Sequence, residues 1–222
     1  MSEYIVQAKK LCKKYMIGQN EIRALSDIEL DIPEGQFLTV MGKSGSGKTT
    51  LLNMIGGLDL PDSGSVEISG QEITAMPEKK LSVFRRRNIG FVFQFFHLIP
   101  ELNLRENIVM PLLLDRSGQE ETYFNEICDT LEISDRLMHL PSEVSGGQQQ
   151  RAAIARALIM KPKVILFDEP TGNLDETSSK TVMELVRRSS ERFNQTIVMV
   201  THDRDVASYS DVIIHLKDGE KV

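Results

Sequence analysis

Short apolar runs alternate with polar, turn-rich stretches along this chain, and the alternation changes character twice. Phe37-Leu38-Thr39-Val40-Met41, Ile89-Gly90-Phe91-Val92-Phe93, Val164-Ile165-Leu166-Phe167, Thr196 to Thr201 and Val212 to Leu216 are apolar runs of strand length. Consecutive apolar positions of this kind fit strands covered on both faces. Upstream, Tyr4 to Ala8 and Ala24 to Ile32 read as β segments, with turns at Gly18-Gln19-Asn20 and Pro33-Glu34-Gly35. Val66-Glu67-Ile68 is another, between turns at Pro61-Asp62-Ser63-Gly64 and Ser69-Gly70. Together these predict a small sheet beside the main one. Helix formers then dominate residues 101–160, with helices predicted over Glu101 to Leu114, Gln119 to Leu131 and Ser145 to Met160. Further helices are predicted from Thr50 to Ile55 and from Ser178 to Arg192. Strands alternating with helices imply a largely parallel sheet. The expectation is one α/β domain over residues 1–222. Its core is 1–94 and 161–222, and its inserted helical lobe is 95–160.

Composition narrows the picture modestly. A length of 222 residues suits one domain, or one core with an inserted lobe, and the formal net charge is −6. An acidic chain without a basic block argues against general nucleic-acid binding, which needs Lys and Arg to neutralise phosphates. Arg85-Arg86-Arg87 is the one dense basic run and reads as a solvated helix end. Cys12 and Cys128 have no metal-ligand spacing and read as free thiols. Ser2 to Lys14 has no signal-peptide core. No apolar run approaches the roughly 18–20 residues that span a bilayer, and the stretch Ile108 to Leu114 contains Pro111. A soluble, cytoplasmic chain that meets a membrane only through a partner is expected.

Chemistry enters at Gly42-Lys43-Ser44-Gly45-Ser46-Gly47-Lys48-Thr49. Two glycines five apart followed by Lys and Thr, after a strand and before a helix, form a phosphate loop. Its backbone N–H groups turn inward around phosphates, and the helix N-terminus adds a positive dipole end. Glycines at 42, 45 and 47 allow close approach. Lys48 can reach the β- and γ-phosphates, and the Thr49 hydroxyl can ligate Mg²⁺.

A second set of residues belongs to the same chemistry. Val164 to Phe167 runs into Asp168-Glu169, which places two carboxylates at the ligand edge of a sheet. Asp168 is then positioned to hold Mg²⁺, and Glu169 to polarise a water in line with a γ-phosphate. Gln94 and His202 also end apolar strands, within reach of the γ-phosphate, the Mg²⁺ or the water. The other histidines, His97, His139 and His215, show no pairing by spacing and read as structural or surface residues. Ser145-Gly146-Gly147-Gln148 opens a helix, with Ser145 as its N-cap. Open N–H groups there allow a second anion site, and the residues alone do not say whose phosphate fills it.

In order, these elements resemble the nucleotide-binding subunit of ATP-binding cassette (ABC) transporters over essentially the full chain. They are the Walker A loop Gly42 to Thr49, the Q-loop Gln94, the signature Ser145 to Gln148, the Walker B strand with Asp168 and Glu169, the D-loop Asn173-Leu174-Asp175 and the switch His202. The resemblance implies that Tyr15 stacks on adenine, with a packed strand residue as the alternative. It also implies that Lys48, Thr49 and Thr50 hold phosphate and Mg²⁺, and that Gln94 touches Mg²⁺ or water and reports to a membrane partner. Glu169 would be the general base, and His202 the γ-phosphate sensor. Ser145 and Gly147 would bind the γ-phosphate of ATP held by a second copy, in a head-to-tail dimer around two ATP molecules. Asp175 would couple the two sites.

Leu51-Leu52-Asn53, Gly57-Leu58-Asp59, Gly90 to Pro100 and Asp168 to Asp175 are similar to the MacB/LolD/BceA-type branch. That branch implies antimicrobial-peptide or macrolide export, or lipoprotein release, driven through an integral membrane permease. The cell-division pair of the branch offers the alternative of a signalling cassette. The implied place is the cytoplasmic face of the membrane. The surface around Gln94 to Leu114 would seat the permease. Val144 stands for the usual Leu before the signature, and Asn103 stands where the branch often has Thr. The end soon after Asp218-Gly219 leaves no C-terminal regulatory domain in the expectation.

Overall fold

Every residue of the strand Phe37–Met41 (β3) is buried, and this strand lies at the middle of the molecule. The computed structural model describes residues 4–18 and 20–222, so Gln19 of the expected turn lies outside the described residues. Strand β3 pairs in parallel with Thr196–Thr201 (β8) on one side and Val212–Lys217 (β9) on the other. Val164–Asp168 (β7) pairs in parallel with β8, and Ile89–Val92 (β6) with β7. Glu220–Lys221 (β10) closes the far edge antiparallel to β9, giving the order β10-β9-β3-β8-β7-β6. The sheet is mostly parallel, as expected.

Alternate residues of these strands feed two hydrophobic clusters, which is why their sequence is apolar at nearly every position. Phe37, Ile165, Phe167, Ile197 and Met199 face one cluster, and Leu38, Val40, Val164, Leu166, Val198 and Val200 face the other. The second cluster is completed by Lys48–Ile55 (α1) and by a four-stranded antiparallel sheet. That sheet has Tyr4–Ile17 (β1), Asn20–Pro33 (β2), Ser63–Ile68 (β4) and Gln71–Glu72 (β5), in the order β2-β1-β4-β5.

The first cluster is covered by helices. Leu104–Asp115 (α3), Glu121–Thr130 (α4) and Gly146–Leu158 (α5) lie between β6 and β7 in sequence, and Glu176–Arg192 (α6) follows β7. Leu104, Ile108, Phe124, Ile154 and Leu158 share this single cluster with Phe37 and Phe167 of the sheet, so the helical lobe is seated on the sheet. Among the described residues no helix is long and apolar enough to cross a membrane.

Several expected boundaries move. Helix α3 begins at Leu104 and not at Glu101, because Asn103 caps it. The Asn103 side chain accepts from Glu106 N at 2.8 Å, and Glu106 Oε2 accepts from Asn103 N at 2.9 Å. Asn and Thr both serve as N-caps, so the departure at Asn103 keeps the helix start. The turn before β4 is shorter than expected, since Ser63 and Gly64 already belong to the strand and Ser63 pairs with Cys12. Phe93 lies beyond β6. Strands β1 and β2 run well past the expected segments; of the helix Glu78–Asn88 (α2) only the basic end was expected, and the helix Arg204–Ala207 (α7) was not expected.

Arg85-Arg86-Arg87 is a helix end, the last turn of α2, but it is not simply solvated. Arg85 donates to Gly57 O at 2.6 Å, Arg86 to Leu114 O at 2.7 Å and Arg87 to Asp115 Oδ1 at 2.9 Å. The run therefore fastens α2 to the ends of α1 and α3.

Candidate functional site

The C-terminal ends of β3, β7 and β8 open on one cleft of about 1030 Å³. The loop after β3 forms its floor. Gly47 caps α1 in the left-handed region at φ +100°, where a Cβ would stand 2.3 Å from Ala24 O, so only glycine fits. Gly45 is left-handed too, at φ +80°, but opens on free space. No side chain caps α1, and no acid lies in its first turn. The first N–H groups of a helix have no intrahelical partner, so this end is an open anion cradle.

Lys48 is buried, and its ammonium donates to Gly42 O at 2.9 Å and Lys43 O at 3.1 Å. It bridges the loop from within and stands 3.9 Å from Glu169 Oε1. Thr49 Oγ1 donates to Asp168 Oδ1 at 3.2 Å. Burial raises the Asp168 carboxyl above the ordinary carboxylate range; the Thr49 hydrogen bond opposes this, and the Glu169 charge adds to it.

Glu169 has φ +46°, a left-handed backbone held by its N–H to Val200 O at 3.0 Å and by Gly172 N to its own carbonyl at 3.0 Å. Strained backbone of this kind concentrates where a side chain must be aimed. The Glu169 carboxylate accepts from Thr201 Oγ1 at 3.1 Å and lies 2.9 Å from His202 Nδ1. Gln94 lines the same cleft, and its carbonyl accepts from Asn173 Nδ2 at 2.8 Å.

The cleft thus brings together Tyr15, Gly42, Ser44, Gly45, Gly47, Lys48, Thr49, Thr50, Gln94, Asp168, Glu169 and His202. Ser46, expected among the phosphate contacts, is buried within the loop and does not line the cleft; its N–H donates to Lys43 O at 3.2 Å and its carbonyl accepts from Gly219 N at 3.1 Å. Ser145, Gly146, Gly147 and Gln148 lie outside it. Ser145 is the expected N-cap of α5: its Oγ accepts from Gln148 N at 3.3 Å, and Gln148 Oε1 accepts from Ser145 N at 2.9 Å. Asp175 caps α6, accepting from Ser178 N at 2.9 Å and from Ser178 Oγ at 2.6 Å, and the Ser178 bonds hold its carboxyl below the ordinary range.

Six cleft residues were not foreseen as part of the site: Ile22, Ala24, Met41, Gly172, Arg204 and His215. His215 reaches the site only because β9 pairs with β3 in the register that sets it opposite Met41, which no local pattern reveals. Supporting contacts were missed as well. Gln150 donates to Pro170 O at 2.6 Å, and the buried Asn107 side chain bonds Ile99, Leu102 and Asn103 backbone. They tie α5 and α3 to the turns after Glu169 and Gln94.

Thr49, Asp168 and Gln94 supply the hard oxygen donors that Mg²⁺ prefers. Among the described residues no cluster of three His, Cys, Asp or Glu side chains could hold a metal.

Comparison with known proteins gives a consistent result. The family model described as "ABC transporter" matches residues 25–172. The ABC transporter ATP-binding protein YvcR of Bacillus subtilis is 46% identical over 219 residues, covering 97% of this chain and 85% of that one. The lipoprotein-releasing system ATP-binding protein LolD of Alcanivorax borkumensis is 42% identical over 217 residues, covering 97% and 95%. Among solved structures, the dimer of the ATP-binding cassette MJ0796 in a post-hydrolysis state with ADP and Pi matches with a TM-score of 0.86 at 43% identity, covering 97% and 96%. MJ0796 is a protein of Methanocaldococcus jannaschii.

Proposed function

We propose, because this chain belongs to the ABC transporter family, that it is the motor subunit of a membrane transporter, closing against a second copy of itself around two ATP molecules. The chain is an ATP-binding cassette and an ATPase. One observation carries the fuller reading: Lys48, Thr49, Gln94, Asp168, Glu169 and His202 converge on one cleft beside an uncapped helix N-terminus.

The open N–H groups of α1 receive the β- and γ-phosphates. Lys48 exchanges its two loop carbonyls for phosphate oxygens. Thr49, Asp168 and Gln94 would hold Mg²⁺, which when bound would neutralise phosphate charge. Glu169 holds a water and takes its proton as the water oxygen attacks the γ-phosphorus. The bond to the β–γ bridging oxygen breaks, leaving ADP and phosphate. Lys48 and His202 stabilise the charge that develops on the γ-phosphoryl oxygens. Tyr15 stacks on the adenine.

The signature Ser145 to Gln148 lies outside the chain's own cleft, which supports its use by the ATP of another copy. Hydrolysis removes the phosphate that joins the two surfaces, and the dimer reopens. Residues 95–160 form the subdomain that carries the signature, and the surface around Gln94 to Leu114 seats an integral membrane permease at the cytoplasmic face. The LolD relatives, each the ATP-binding protein of a lipoprotein-releasing system, support cargo of the lipoprotein kind.

Phosphate release from MgATP tests the reading. Glu169→Gln should lower turnover by roughly 10²–10⁴-fold while ATP still binds. Unchanged turnover would remove Glu169 from the base role.

A further inference from the structure

At the rim of the cleft, the Tyr15 hydroxyl donates to Asp59 Oδ2 at 2.6 Å. The other carboxylate oxygen of Asp59 accepts from Lys13 Nζ at 2.8 Å and from Leu60 N at 2.8 Å. Lys13 Nζ also donates to Leu60 O at 2.6 Å and stands 5.3 Å from the centroid of the Tyr15 ring. The carboxylate is thus bonded at both oxygens, and the ammonium above the ring leaves one ring face to receive a ligand.

The anchor is tied into the fold. Leu58 N and Asp59 N donate to Asn53 O of α1 at 2.8 and 3.3 Å. Asp62 fastens the same turn to β1, accepting from Lys14 N at 2.7 Å and donating through its N–H to Cys12 O at 2.9 Å. The pairing of β1 with β2 shifts register between Lys13 and Lys14, and such irregularities re-aim side chains. Burial raises the Asp59 carboxyl, but the Lys13 and Tyr15 hydrogen bonds outweigh it and hold the group ionised.

We infer that Asp59, clamped by Lys13, is a positioning residue for the nucleotide base: it fixes the plane of the Tyr15 ring so that one face is presented to the purine. The inference rests on the reading of Tyr15 as the stacking residue. The ring is more than a third exposed, at 37%, and lies near the end of a hairpin. Without the Asp59 bond the phenol would keep only the Thr50 hydroxyl as a side-chain partner, and the base would have to order the ring on binding. Asp59 follows the C-terminal end of the helix whose N-terminus opens on the phosphate loop. The base platform and the phosphate cradle are therefore fixed to one rigid element.

The test compares ATP with inorganic tripolyphosphate, which has no base, by equilibrium titration of the full chain. Asp59→Asn and Tyr15→Phe should each weaken ATP roughly 3–10-fold, and the double variant no more than either single one. Tripolyphosphate affinity should not change. For Asp59→Asn, KM for ATP should rise while kcat stays within about twofold. If Asp59→Asn weakens ATP and tripolyphosphate alike, the residue only holds the fold and the inference fails. If Tyr15→Ala weakens ATP but Asp59→Asn does not, the stacking role stands and the positioning role falls. If Tyr15→Ala leaves the ratio of the two affinities unchanged, the reading of Tyr15 itself is wrong, and the inference goes with it.

Discussion

The Thr49 hydroxyl donates to Asp168 Oδ1 at 3.2 Å, across 119 residues of chain. This contact joins the helix that opens on the phosphate loop to the strand that ends in paired acids. It also marks where two oxygen donors meet at the mouth of the cleft.

Thr49→Ala removes one of those donors and leaves the backbone cradle intact. The Mg²⁺ concentration for half-maximal ATP hydrolysis should rise roughly 10–100-fold, while metal-free ATP binding stays close to the unsubstituted protein. Titrating Mg²⁺ in a phosphate-release assay checks this. An unchanged Mg²⁺ dependence would take Thr49 out of the metal site.

Gly45 and Gly47 separate backbone strain from steric exclusion. Gly45→Ala meets open space and carries only the left-handed penalty, about 1–2 kcal/mol. Gly47→Ala adds a Cβ 2.3 Å from Ala24 O and also displaces the cap of α1. It should cost at least about 3 kcal/mol and abolish ATP binding. Urea unfolding of the two variants measures the difference.

Cys128 and Tyr123 predict how the protein fails in alkali. Burial, helped by Asp129, pushes the Cys128 thiol from its ordinary 9.0 to about 12. Burial, helped by Glu126 and Glu120, pushes the Tyr123 phenol from 10.0 to about 12. A group whose pKa is raised on folding contributes stability in full below its unfolded value and loses it as pH rises toward the folded one. Unfolding free energy should therefore be flat below pH 9 with respect to Cys128 and fall between 9.0 and about 12. Cys128→Ala should flatten the first part of that fall. At pH 8 a thiol reagent should label at most one cysteine in the native chain and both in denaturant.

How far the sequence reveals the molecule depends on what sets each element. The strands β3, β7 and β8, apolar at nearly every position, and the polar residues at their C-terminal ends are legible, because a strand covered on both faces is built almost wholly of apolar residues. Helix α2 is legible only at its basic end, because only Leu81 and Phe84 of its eleven residues are buried and charge hides the period. Strands β1 and β2 extend through Lys9, Lys10, Lys13, Lys14 and Glu21, which lie on solvated or bulged stretches where alternation fails. Gly57-Leu58-Asp59 is visible as a motif, but its link to Tyr15 depends on a contact 44 residues away. His215 enters the cleft through strand register alone.

The central claim is that two copies share two ATP molecules. Light scattering of Glu169→Gln with and without ATP tests it most directly. The expected result is an ATP-dependent change from monomer to dimer, abolished by adding Ser145→Arg, which leaves the chain's own cleft intact. A protein that remains monomeric with ATP demonstrably bound would contradict the shared-site mechanism.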